Sequence, residues 1–250
     1  MGGLHFTLLP IYFCGSIIYT EVHLWRYSVR LYHGSKYEIS NPTKGAGKIH
    51  NDYGQGFYCT ENLELAKEWA ASTPEDGVVN VYDFDITGLE CLNLNAAPYN
   101  IMHWLTVLLE HREVRLQEES VAELGEEYMI SNYHVDVSGA DYIRGYRADD
   151  SYYAFVRAFL SNMIGLEQLS RAMKAGNLGE QIFIQSDLAF QRLKFVEAIS
   201  VNGSEYYEKR IARDTAARKQ FKTLKTEDIK ERILLIDFIR GEVTFDETGL

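Results

Sequence analysis

Hydrophobic and polar positions alternate from Tyr27 to Tyr32, and that period of two predicts a strand. Gly45, Gly47 and their polar neighbours make 36–52 a loop, and extended structure returns from Tyr53 to Cys59. Leu65, Ala66, Trp69 and Ala70 then fall on one helical stripe. Thr60 or Asn62 can cap that helix, and Pro74 and Gly77 end it. Val78 to Phe84 reads as a strand and Cys91 to Leu94 as a shorter one. Trp104, Leu105, Val107, Leu108 and Leu109 mark an apolar helix, and the charges crowded between Glu110 and Glu127 a solvated one. Tyr142 to Tyr146 is a strand that runs into Ala148-Asp149-Asp150. Residues 151–176 hold two helices split near Gly165. The first buries Tyr153, Phe155, Val156 and Phe159; the second buries Leu166, Leu169 and Met173 and stops at Gly176. Gln181 to Gln185 is a short strand. Asp187 caps a helix with Leu188, Phe190 and Leu193 inward, and Phe195 to Val201 is the last strand. Trp69 and Trp104 are expected in the core.

The pattern changes character at both ends. Residues Gly2 to Thr20 carry no Lys, Arg, Asp or Glu and approach the length of a membrane span. His5, Pro10, Cys14, Gly15 and Ser16 interrupt the run, and no positive segment precedes it as a secretory signal requires. A strand added to the core and an extension from an upstream start codon are the simpler readings. After Asn202-Gly203 the chain is charged and helical with little apolar periodicity to Lys225; 226–241 is helical again. The chain therefore divides into an apolar extension (1–26), a mixed domain (27–201) and a charged helical extension (202–250). The latter is a solvated face, or a surface for a partner.

At 250 residues, 46% apolar and 24% charged, the chain can bury a sizeable core. Its net charge of −11 argues against holding nucleic acid by bulk electrostatics. Three cysteines, Cys14, Cys59 and Cys91, fit a reducing cytoplasm, and no His and Cys spacing suggests a metal. The candidate chemistry gathers between Leu31 and Thr60. A histidine and an aromatic on two strand ends can grip a flat, polar-edged ring, with a face to stack on and directed hydrogen bonds.

Four blocks resemble a bacterial domain-of-unknown-function family placed in the ADP-ribosyltransferase-like superfamily. They are Leu31-Tyr32-His33-Gly34-Ser35, then Asp52 to Thr60 with Ala66 to Ala70, then Asp141 to Asp150, then Gly179 to Ile184. The resemblance runs from about Val29 to Phe195. It implies an α+β fold of split, mostly antiparallel sheets with surrounding helices and a cleft for NAD. It further implies that His33 bonds the adenosine ribose and that the Gly34 backbone, beside Ser35, holds the nicotinamide carboxamide. Tyr58 would stack on the nicotinamide ring, framed by Tyr53 or Phe57, and Gln181 would fill the third block of the site.

The activity so implied is cleavage of the nicotinamide–ribose bond and transfer of ADP-ribose to an acceptor, as in a bacterial toxin or effector. The acidic charge favours a protein or a small molecule as acceptor over a nucleic acid, and a protein is the first expectation. Leaving nicotinamide takes the bonding electrons, so a flattened, positively charged sugar develops, and acceptors fixed near it lower the barrier. A carboxylate does this best, but Gln181 has no charge. Glu180, its neighbour, should point to the opposite face of the strand. If Ile182 and Ile184 face the core, Gln181 faces the cleft. Asp149 and Asp150 are candidates for the missing charge, or simply a turn and helix cap. Two rivals stand beside the enzyme: a catalytically weak NAD or ADP-ribose sensor, and a module whose C-terminal helices assemble with a partner such as an antitoxin. Neither a metal nor a membrane is expected.

Overall fold

The computed structural model describes residues 5–13, 16–24, 27–112, 120–148, 153–175, 179–226 and 232–248, and gives the backbone alone for those up to 24 and for 174–175. The apolar N-terminal run forms an antiparallel hairpin of β1 (His5–Phe13) and β2 (Ser16–Leu24), a sheet of its own. Among the described residues no helix is long and apolar enough to cross a membrane.

Two further sheets carry the fold. The first is antiparallel, in the order β3 (Ser28–Ser35), β5 (Gly77–Asp85), β9 (Leu193–Val201). Its central strand is the Val-rich run, and Val79, Val81, Tyr82 and Phe84 are all buried, as a strand covered on both faces requires. The second runs β4 (Phe57–Cys59), β8 (Glu180–Ile184), β7 (Tyr142–Tyr146), β6 (Cys91–Asn93), with the β6–β7 pair parallel and the others antiparallel. Leu31, Tyr82 and Phe84 of the first sheet meet Cys59, Tyr142, Ile182 and Ile184 of the second in one apolar cluster. Along their edges the two sheets are joined by the bridge of Tyr32 with Thr60, the one isolated bridge among the described residues.

The helices cover the outer faces. α1 (Leu63–Ala70) starts at Asn62, whose side chain accepts from the Leu65 N–H at 3.1 Å, and packs on β3 and β5. The largest core lies on the other side of the second sheet. There α2 (Ile101–His111), α3 (Val121–Tyr133), α4 (Tyr153–Leu160) and α5 (Leu166–Ala175) surround Trp104, Phe155 and Phe159. α6 (Asp187–Gln191) is capped by Ser186, not by Asp187: the Ser186 hydroxyl accepts from the Ala189 N–H at 3.0 Å. That one-residue shift turns Ala189 inward and leaves Leu188 exposed.

The charged C-terminal helix α7 (Gly203–Thr226) packs on α1 and α5, with Tyr206, Ala217 and Leu224 buried. Of 226–241, the structure describes a single short helix, α8 (Leu235–Ile239), which adds Leu235 and Phe238 to the main core. The fold is mixed α+β with antiparallel and mixed sheets, the fold class that the resemblance implied.

Candidate functional site

A cavity of about 1180 Å³ opens where β3, β4 and β8 end. Among its lining residues are His33, Tyr58 and Gln181, which lie far apart in sequence. His33 sits on β3, stacked on Phe57 with ring centroids 4.4 Å apart. Its Nδ1 lies 2.7 Å from the Tyr58 carbonyl oxygen. A carbonyl only accepts, so Nδ1 carries the proton. Burial depresses the imidazole pKa, opposed by the bond to Tyr58. The ring is therefore neutral near pH 7, which leaves Nε2 as an acceptor able to take a donor such as a sugar hydroxyl. Tyr58 offers the cavity its ring more than its hydroxyl. The Oη donates to the Gly54 carbonyl at 2.7 Å and accepts from the Tyr53 N–H at 3.0 Å, fixing the 53–58 turn.

Gln181 is 2% exposed, and its amide nitrogen donates to Asp52 Oδ2 at 2.9 Å and to the Tyr146 carbonyl at 3.2 Å. Those two oxygens fix the amide's orientation, so Oε1 is the atom it can present to a ligand. Asp52, also lining the cavity, is the carboxylate nearest in chemistry to what Gln181 lacks. Its Oδ2 further accepts from the Ala148 N–H at 3.0 Å, and its Oδ1 faces Arg112 Nε at 3.0 Å as an ion pair without hydrogen-bond alignment. Burial raises the Asp52 pKa, while Arg112, the Ala148 N–H, Gln181 and Arg147 each pull it down. Nothing near Asp52 in sequence marks it, because its partners Ala148 and Gln181 lie 96 and 129 residues away.

Several expected site residues stand elsewhere. Glu180 leaves the cavity: the strand's alternation sends it with Ile182 and Ile184 to the other face. There Arg144 Nη1 pairs with it at 2.7 Å and the Asn95 amide donates to it at 2.8 Å. Tyr53 is core, with its hydroxyl 2.5 Å from the Tyr146 carbonyl and accepting from Trp104 Nε1 at 2.9 Å. Ser35 does not reach the cavity either. Its hydroxyl donates to the Tyr37 carbonyl and accepts from the buried amide of Asn80, which pins the following loop. Gly34 does line the cavity, but its lack of a side chain answers to packing. A Cβ there would lie 2.0 Å from the Ala66 carbonyl oxygen. Asp149 and Asp150 fall outside the described residues. Trp69, expected in the core, lines the cavity instead, with Arg147 Cζ 4.8 Å from its ring centroid.

The charge of the cavity opposes that of the chain. Among the described residues, seven Lys and Arg side chains line it against two carboxylates, Asp52 and Asp214. Three of the arginines come from α7, which turns Tyr207, Arg210, Ile211, Asp214 and Arg218 toward the cavity at helical spacing. Two are tethered there, Arg213 to Glu68 at 2.7 Å and Arg218 to Asp214 at 2.7 Å. Tyr153 also lines the cavity. Arg112 and Arg157 stand over its ring at 5.2 and 5.7 Å, and burial pushes its phenol pKa up to about 12.

Such a cavity has an aromatic face, a neutral imidazole acceptor, an oriented amide and a surplus of guanidinium. It suits a ligand that joins a flat ring and sugar hydroxyls to negative charge. No curated protein and no solved structure matches the chain. A family model does, over residues 29–195, which is more than half of the chain and contains every site block up to β8. The chain belongs to the family described as "Protein of unknown function (DUF3990)".

Proposed function

We propose that the cavity binds NAD, cleaves its nicotinamide–ribose bond and transfers ADP-ribose to an acceptor, a protein first, with a nucleic acid disfavoured by the net charge of −11. The reading rests on one observation: His33, Tyr58 and Gln181, drawn from three strands, line a single cavity. His33 Nε2 accepts from a ribose hydroxyl. The Tyr58 ring supplies a stacking face beside Phe57. Gln181 Oε1 accepts from the second ribose, and the Asp52 carboxylate bonded to Gln181 places negative charge near the sugar as nicotinamide departs with the bonding pair.

The test is free nicotinamide released from NAD by the purified chain, with His33→Ala and Gln181→Ala as controls. Turnover lost in either variant supports the enzyme. A second reading, an NAD or ADP-ribose sensor, is favoured by the uncharged Gln181. Tight NAD binding without nicotinamide release would select it.

A further inference from the structure

Arg157 and Arg210 reach the cavity from two different helices, α4 and α7, and among the described residues no carboxylate pairs with either. Tyr153, which opens α4 one turn before Arg157, also lines the cavity; it is only 8% exposed, and its hydroxyl is buried without a hydrogen-bond partner among the described residues. Buried hydroxyls are seldom left unpaired. These groups are strong donors, and the two guanidiniums add positive charge. Their planar forks match the oxygens of a phosphate better than any neutral group. The cavity also exceeds the roughly 300–1,000 Å³ usual for small-molecule sites, which leaves room beyond a ring and a sugar. Arg210 lies on α7, outside the residues 29–195 that the family model matches.

We propose that Arg157, Arg210 and the Tyr153 hydroxyl form a phosphate subsite. It rests on the same cavity as the NAD reading. The phosphate is either the dinucleotide's own diphosphate or one carried by the acceptor.

The experiment titrates the full chain with inorganic pyrophosphate by calorimetry, then with ADP-ribose and with adenosine. Arg157→Gln, Arg210→Gln and Tyr153→Phe are compared, with melting temperatures as the check on folding. Pyrophosphate affinity should fall about tenfold in each arginine variant and less in Tyr153→Phe, while adenosine affinity holds. ADP-ribose weakening in parallel identifies the dinucleotide's diphosphate as the source. ADP-ribose unaffected, with pyrophosphate binding alongside it, identifies the acceptor's phosphate. Pyrophosphate that fails to bind, or binds all variants equally, overturns the subsite even if nicotinamide is released. Arginine-dependent pyrophosphate binding without ADP-ribose binding or nicotinamide release keeps the subsite and overturns the NAD reading.

Discussion

Gly34→Ala separates two reasons for a glycine at the edge of the cavity. An added Cβ would lie 2.0 Å from the Ala66 carbonyl oxygen, 2.6 Å from the Ala70 nitrogen and 2.8 Å from Trp69 Cβ. Two of these atoms are backbone of α1, so no rotamer change relieves the contact. The helix must retreat from β3 by roughly 1.5 Å to restore ordinary van der Waals distances. That retreat loosens Ala66 and Ala70 from Val79 and Val81, a cluster now closed to solvent. Overpacking of a tight core costs about 1–3 kcal/mol, and the backbone clash places this case at the upper end, about 3 kcal/mol. For a chain of this size each kcal/mol moves Tm by about 2–4 °C, so a fall of about 6–12 °C is expected. Urea denaturation of the ligand-free protein should show a lower midpoint with an unchanged slope. A Gly34→Ala protein within about 0.5 kcal/mol of the parent would refute the packing argument. The glycine would then return to the role implied by the sequence, a bare backbone for a ligand to approach.

Two further changes probe the site from opposite sides. Glu180→Gln should leave nicotinamide release unchanged and cost under about 1 kcal/mol, because the Arg144 pair it weakens is 40% exposed on the Glu180 side. A large loss of turnover with the fold intact would put Glu180 back among the catalytic groups. The depressed pKa of His33 fixes the sign of a pH effect: the unfolded chain binds the proton more readily than the folded one. The stability that the neutral ring contributes is present above its ordinary value of 6.5 and is lost as pH falls below it toward the folded value. Urea titrations across that window should show a shallower decline in His33→Gln than in the parent; equal declines would place the titration elsewhere.

Most of the secondary structure was legible because its periods are clean. Val78 to Phe84 has the β-branched run of a buried central strand, and Leu65 to Ala70 the stripe of a helix against a sheet. For Gln181 and Glu180 the alternation gave only a conditional, that at most one of the two faces the cleft; the burial of Ile182 and Ile184 with Leu31 and Tyr82 supplies the missing premise. What failed was local chemistry set by distant partners. Ser186 and Asp187 are equally good caps in sequence, and only the packing of Ala189 decides between them. Trp69 read as core because a tryptophan on an apolar stripe usually is, yet the stripe ends at the rim, where Arg147 covers the ring. The wall made by α7 was hidden for a different reason. Its cavity face mixes Tyr207 and Ile211 with Arg210, Asp214 and Arg218, so no apolar stripe stands out. Their spacing of three and four was the available signal.

The bond between His33 Nδ1 and the Tyr58 carbonyl has one more consequence. It crosses from one sheet to the other beside the Tyr32–Thr60 bridge, so this imidazole serves as a rivet as well as a contact. Whatever molecule engages the ring's other nitrogen pulls on both halves of the scaffold at once. A change in the spacing of the two sheets would therefore move the ring, and its free nitrogen with it.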